Sequence, residues 1–230
     1  HSMKDVPAEM PPGLDIVTVL DRADPRDAFV SGRYASLSDL PPGAVVGTSS
    51  LRRQAQLKHG RPDLEIRPVR GNVETRLRKL DEGNYDAILL ACAGLERLGL
   101  GARITDRIPV DTSLPAVGQA IVGIECKTDA QELVGLLKGI EDPASRQAID
   151  AERAFAARLE GSCESPIAGH AVIRDSSLHL QGLVAAADGS ECLADEISGP
   201  PDHGPSMGAE LADRLLARGA GPLLATGKSP

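Results

Sequence analysis

Between residues 44 and 98 one short unit occurs three times, and it restricts the fold more than any other feature. The apolar stretch Ala44-Val45-Val46-Gly47 runs into Thr48-Ser49-Ser50, hydroxyl residues suited to cap a helix, and a helix is expected from Leu51 to Lys58. The unit returns as a strand over Leu64–Val69, a turn at Arg70-Gly71-Asn72 and a helix over Val73–Leu80, whose Val73, Leu77 and Leu80 share one face. A third strand, Asp86–Ala91, precedes a short helix over Gly94–Leu98. Alternating strands and helices imply a parallel, doubly wound sheet. In such sheets ligands sit at the carboxyl ends of strands, beside helix N-termini.

The flanks read differently. Leu14–Leu20 and Ala120–Glu125 are expected strands, and Asp21–Asp27, with its charges and proline, is expected to be a crossing linker. Leu114–Gln119 is a loop. Gln131–Gly139 and Ser145–Glu160 are expected helices, the second with Ile149, Glu152, Phe155, Ala156 and Leu159 at helical spacing and Gly161 as its stop. Beyond it, short strands are expected at Ala171–Ile173, Leu178–Ala185 and Glu191–Ile197, with a hairpin turn at Asp188-Gly189. A last helix, Met207–Arg218, has Ser206 as its expected cap and Gly219 as its stop. The tail is therefore a small antiparallel α+β unit.

Composition removes several function classes. The 230 residues are 41% hydrophobic, enough for a packed core. A net charge of −8 and an aromatic content of 2% argue against nucleic acid, which needs a basic surface and stacking platforms. No apolar run reaches the roughly 20 residues of a membrane span. The four cysteines form no Cys-x-x-Cys pair, so no metal site is expected; they read as free thiols in a reducing, cytoplasmic setting.

Three groups of residues can carry chemistry. Thr48, Ser50, Arg52 and Arg53 gather at one strand-to-helix turn. Arg70 occupies the same turn one unit later, Arg76 follows one helical turn on, and Arg97 lies after the next strand. Helix N-termini and arginine forks suit carboxylates or phosphates; a solvated basic face is the plainer alternative. Lys4-Asp5 is by itself an ordinary ion pair. Cys163, in Gly161-Ser162-Cys163-Glu164-Ser165-Pro166, is placed on a turn at the end of a long helix, as a reactive thiol would be. His170, His59, His179 and His203 compose no triad.

Taken together, His1-Ser2-Met3-Lys4-Asp5-Val6-Pro7, Asp24-Pro25-Arg26-Asp27-Ala28, Gly47 to Gln54, Arg70-Gly71-Asn72, Leu114 to Gln119 and the Cys163 stretch resemble the porphobilinogen deaminase (hydroxymethylbilane synthase) family over nearly the whole chain. The resemblance implies two lobes like those of periplasmic binding proteins plus a small C-terminal α+β domain. The expected division is 1–22 with 116–140 for part of the first lobe, 23–115 for the second and 141–230 for the third domain. It implies a cytoplasmic, monomeric transferase that condenses four porphobilinogen molecules, with loss of ammonia, on a dipyrromethane cofactor bound through a thioether to Cys163. Asp5 is then the catalytic carboxylate. Ser2, Lys4, Thr48, Ser50, Arg52, Arg53, Arg70, Arg76, Arg97 and Gln119 are the binding residues for cofactor and substrate. A non-catalytic small-anion binder of the same two-lobed fold is the alternative.

Three positions depart from the family pattern. Ser162 and Ala120 stand where glycine is common, and Glu164 adds a charge beside the thiol, which should raise its pKa. The family also carries several dozen residues before the His1 motif, so the chain alone is expected to expose apolar surface on its first lobe and to have little or no deaminase activity.

Overall fold

The computed structural model describes residues 1–7, 10–159 and 166–225. A 3-10 turn, Met3–Asp5, opens the chain. The elements then run β1 (Leu14–Val19), β2 (Asp27–Val30), β3 (Val45–Gly47), α1 (Leu51–Gly60), β4 (Glu65–Arg67), α2 (Val73–Asp81), β5 (Ala87–Ala91), α3 (Cys92–Arg97) and β6 (Asp106–Ile108). There follow β7 (Gly123–Lys127), α4 (Gln131–Lys138), α5 (Pro143–Arg158), β8 (Ile167–Arg174), β9 (Ser177–Ala185), β10 (Cys192–Gly199), α6 (Gly204–Ala217) and α7 (Ala220–Ala225).

The repeated unit builds a five-stranded sheet of order β4-β3-β5-β2-β6. β3 is parallel to β4 and β5, as the alternation implies. β2 runs antiparallel between β5 and β6, so the sheet is mixed. Asp27, the last residue of the expected linker, instead opens β2, and all four residues of that strand are buried. A strand of four residues shows no period of its own; pairing on both sides makes it a strand. Ala87–Leu90 form an unbroken apolar run because helices cover both faces of the sheet. Phe29, Val46 and Leu89 pack on one face, Val30, Ile88 and Leu90 on the other. The predicted cap of α1 forms, with Ser50 Oγ accepting from the Arg53 amide at 3.5 Å; Asn72, expected only as a turn residue, caps α2 by accepting from the Thr75 amide through Oδ1 at 2.8 Å.

β1 and β7 pair antiparallel, with a register shift between Ile16 and Thr18. Met3, Ile16, Val19, Ile121 and Ile149 close over this pair. β7 starts at Gly123, three residues later than expected, because Ala120 sits in a left-handed turn at φ +73°. The C-terminal sheet has the order β10-β9-β8, antiparallel throughout, under α5 and α6. Phe155 of α5 lies at its centre, against Gly182 of β9. α6 starts at Gly204, so Ser206 is inside the helix, not its cap; its hydroxyl donates to the His203 carbonyl at 2.8 Å. The stretch that carries Gly161, Ser162, Cys163 and Glu164 lies outside the described residues.

Candidate active site

A cleft of about 540 Å³ opens where the N-terminal turn, the α1 N-terminus, the segment around Gln119 and the α5–β8 region meet. Each wall has a local cause. Met3 is buried against Ile16 and Ile121, and its amide bonds the Ile121 carbonyl at 2.9 Å. That anchor turns Lys4 and Asp5 toward the cleft, where Asp5 is exposed. β3 delivers Ser49 and Ser50 to the start of α1, and the first helical turn adds Arg52 and Arg53. Arg76 comes from α2, with its Nε donating to the Gly71 carbonyl at 2.7 Å.

The two arginines are not the free forks that the sequence suggests. Arg52 and Arg53 are buried, and both close on Asp27, which is fully buried. Arg52 Nη1 is 2.9 Å and its Nη2 3.0 Å from the carboxylate; Arg53 Nη2 is 2.7 Å from it. Ser113 Oγ and Gln119 Nε2 donate to the same group, each at 2.9 Å. Burial works against ionisation of Asp27, but the two guanidinium charges prevail and hold its pKa far below the usual carboxylate range. Sequence reading placed Asp27 in a motif without giving it a role; a lone aspartate at the end of an apparent linker carries no local sign of five donors.

Positive charge remains crowded here. Burial lowers the pKa of Lys4, and the nearby charge of Arg53 lowers it further. The same two causes, in the same order, lower that of Arg76. The Nε atoms of Arg52 and Arg53 are buried with no hydrogen-bond partner among the described residues. Arg153 of α5, which sequence reading missed, also lines the cleft and donates to the Pro7 carbonyl at 2.9 Å.

Of the sequence-predicted residues, the structure brings Lys4, Asp5, Ser50, Arg52, Arg53, Arg76 and Gln119 to this cleft. Four stand apart from its lining. Ser2 makes a backbone bridge to Val122. Thr48 is buried, and its Oγ1 accepts from the Ser50 amide at 3.2 Å, which shapes the turn. Arg70 is exposed. Arg97 is also exposed and spends Nη2 on the Ala120 carbonyl at 2.9 Å. Cys163 lies outside the described residues, and Ile167 at the start of β8 lines the cleft. The cavity is lined by several cations, and the buried Nε atoms of Arg52 and Arg53 have no hydrogen-bond partner among the described residues, a setting that fits a group bearing carboxylates.

Behind the cleft lies a second buried charge. Glu152 of α5 is fully buried and accepts from Arg22 at 2.5 and 3.4 Å and from the Gly118 and Ala171 amides at 2.7 Å each. Near it, burial depresses the pKa of His170 to about 4.

Comparison with known proteins agrees with this geometry. Residues 1–135 match the porphobilinogen deaminase, dipyromethane cofactor binding domain, and residues 146–217 match the porphobilinogen deaminase C-terminal domain. The porphobilinogen deaminase of Thiobacillus denitrificans is 53% identical over 220 residues, which is 96% of this chain and 72% of that protein. That of Pelobacter propionicus is 54% identical over 224 residues, 97% of this chain and 72% of that protein. Among solved structures, a periplasmic binding protein of Salmonella typhimurium with high arginine specificity aligns at 17% identity, with 53% of this chain and 55% of that one covered and a TM-score of 0.33. With both family profiles matched in order and more than half of each relative aligned, the chain belongs to the porphobilinogen deaminase family, transferases that make hydroxymethylbilane with a dipyrromethane cofactor.

Proposed function

We propose that this cleft binds porphobilinogen, and that Asp5 and the surrounding cations serve the stepwise joining of four such molecules into hydroxymethylbilane. At each step the aminomethyl carbon of one porphobilinogen loses ammonia and bonds to a pyrrole α-carbon, which gives up its proton. Dipyrromethane, joined through a thioether to Cys163, would supply the first such carbon, and one water would then cleave the finished tetrapyrrole from it and provide the hydroxyl of hydroxymethylbilane. The single observation that carries this reading is one exposed carboxylate, Asp5, in a cleft whose other charged side chains among the described residues are cations.

The roles follow from charge. A pyrrole that bears acetate and propionate is a dianion with one N–H. Lys4, Arg53, Arg76 and Arg153 suit its carboxylates. Asp5 suits the N–H, where positive charge develops as the aminomethyl carbon reacts, and it can take or return a proton. Ser50 caps α1 and keeps its first turn rigid beneath the arginines. In this reading the chain works as a cytoplasmic monomer, independent of nucleic acid and membranes. Residues 1–22 with 116–140, 23–115 and 141–230 act as its three domains, and the cleft lies between them.

Calorimetry with porphobilinogen tests the assignment. Replacing Asp5 by Asn should weaken binding about tenfold, the worth of one charge-assisted hydrogen bond. Arg53→Met should cost at least as much. Unchanged affinity in Asp5→Asn would remove the carboxylate from the site.

A further inference from the structure

We infer that Asp27 is the positioning residue of the cleft: it fixes the two arginines of α1 and ties them to both segments that cross between the sheets. This inference rests on the proposed binding of porphobilinogen. Asp27 is the first residue of β2, just after the crossing segment 20–26. Its donors Ser113 and Gln119 lie in the stretch that leads back toward β7. One carboxylate thus joins α1, the outgoing crossing and the returning one.

Two adjacent buried guanidiniums would repel each other and turn apart without a counter-charge. Asp27 makes that arrangement stable and also directional. Arg52 is gripped through both terminal nitrogens, and its Nη1 also reaches the Leu114 carbonyl at 2.6 Å. Arg53 is held by Asp27 through Nη2 and by the Leu89 carbonyl through Nη1 at 3.1 Å. Both residues line the cleft, and the Nε of each is buried with no hydrogen-bond partner among the described residues. The two guanidinium groups are therefore fixed in place before a carboxylate arrives, and such preorganisation strengthens binding. The carboxylate also cancels one of the two positive charges, so the triad presents a net charge of one.

Two variants of the chain test this, each followed by porphobilinogen calorimetry at low and high salt and by thermal melting. Asp27→Asn removes the charge but keeps the shape. It should weaken binding about tenfold, and what binding remains should depend more steeply on salt, because the arginine pair then carries two charges. Ser113→Ala leaves every charge in place and alters a residue that does not line the cleft. It should weaken binding about threefold, the loss of one modest hydrogen bond, with a wild-type salt dependence. If Asp27→Asn does not fold, Ser113→Ala decides alone. Wild-type affinity in the folded variants, with only the melting point lowered, would mark Asp27 as purely structural and overturn the inference. If the unaltered chain does not bind porphobilinogen, the functional reading fails and the inference fails with it.

Discussion

Ala120 holds φ +73°, a conformation that costs a residue with a Cβ about 1 kcal/mol or more. It is kept there because its carbonyl receives both the Ala23 amide at 3.2 Å and Arg97 Nη2. Ala120→Gly should therefore raise the unfolding free energy by roughly 0.5–1 kcal/mol in urea; a loss of stability would show that the strain is absent. His170 supplies a pH test. The unfolded chain protonates it near pH 6.5, whereas the folded chain does so only near pH 4, so between these values protons favour unfolding. Its contribution is intact above pH 6.5 and is lost as pH falls, by up to about 3 kcal/mol at pH 4. His170→Gln should flatten the melting curve's pH dependence over that interval. Residue by residue, the sequence made charge visible but not its partner. Arg52 and Arg53 stood out as cations, while Asp27 and Arg153 did not, because what makes each of them matter lies many positions away in the chain.

Helix α1 joins two functions along its length. Its first turn carries the cleft arginines, while Gln54 and the last turn support the hairpin between β9 and β10. His59 Nδ1 lies 3.1 Å from the Gly189 carbonyl, and Gln54 Nε2 donates to the Ala187 carbonyl at 3.3 Å. Gly189 is in the left-handed region at φ +77°, and a Cβ there would stand 2.5 Å from Lys58 Cβ and 2.7 Å from the His59 amide nitrogen. Gly189→Ala should lift the hairpin, cost about 1–3 kcal/mol and speed amide exchange in the last turn of α1. Unchanged exchange there would mean that the contact does not hold. Elements that report themselves by period or by cap, such as α1, α2, α5, β5 and the β9–β10 hairpin, were legible in the sequence. β2 and β6 were not: β2 starts inside a stretch marked as a linker by its charges and proline, and β6, Asp106-Arg107-Ile108, has two charges and a single apolar residue. The start of α6 was misplaced because a serine inside a first turn looks the same in sequence as a cap.

Across the whole molecule, the clusters around Phe29, Ile16 and Phe155 are separate, and buried polar groups bridge between them. Glu152 is the clearest bridge: it joins Arg22 before β2, Gly118 on the returning crossing and Ala171 in β8. Glu152→Gln leaves Arg22 without its counter-charge and should lower stability by about 3–5 kcal/mol, measured by chemical unfolding; a loss below 1 kcal/mol would mean that this joint is dispensable. The family was legible from ordered motifs and the layered fold from its repeated unit. The cleft was legible only in outline, as a collection of cations, because its depth depends on how the sheets meet. The central claim is that this cleft serves a primer anchored at Cys163. Intact-mass measurement of the chain, purified from cells that make porphobilinogen, tests it most directly. The account predicts the added mass of one dipyrromethane, absent from Cys163→Ser; an unmodified chain, or the same addition in Cys163→Ser, would contradict it.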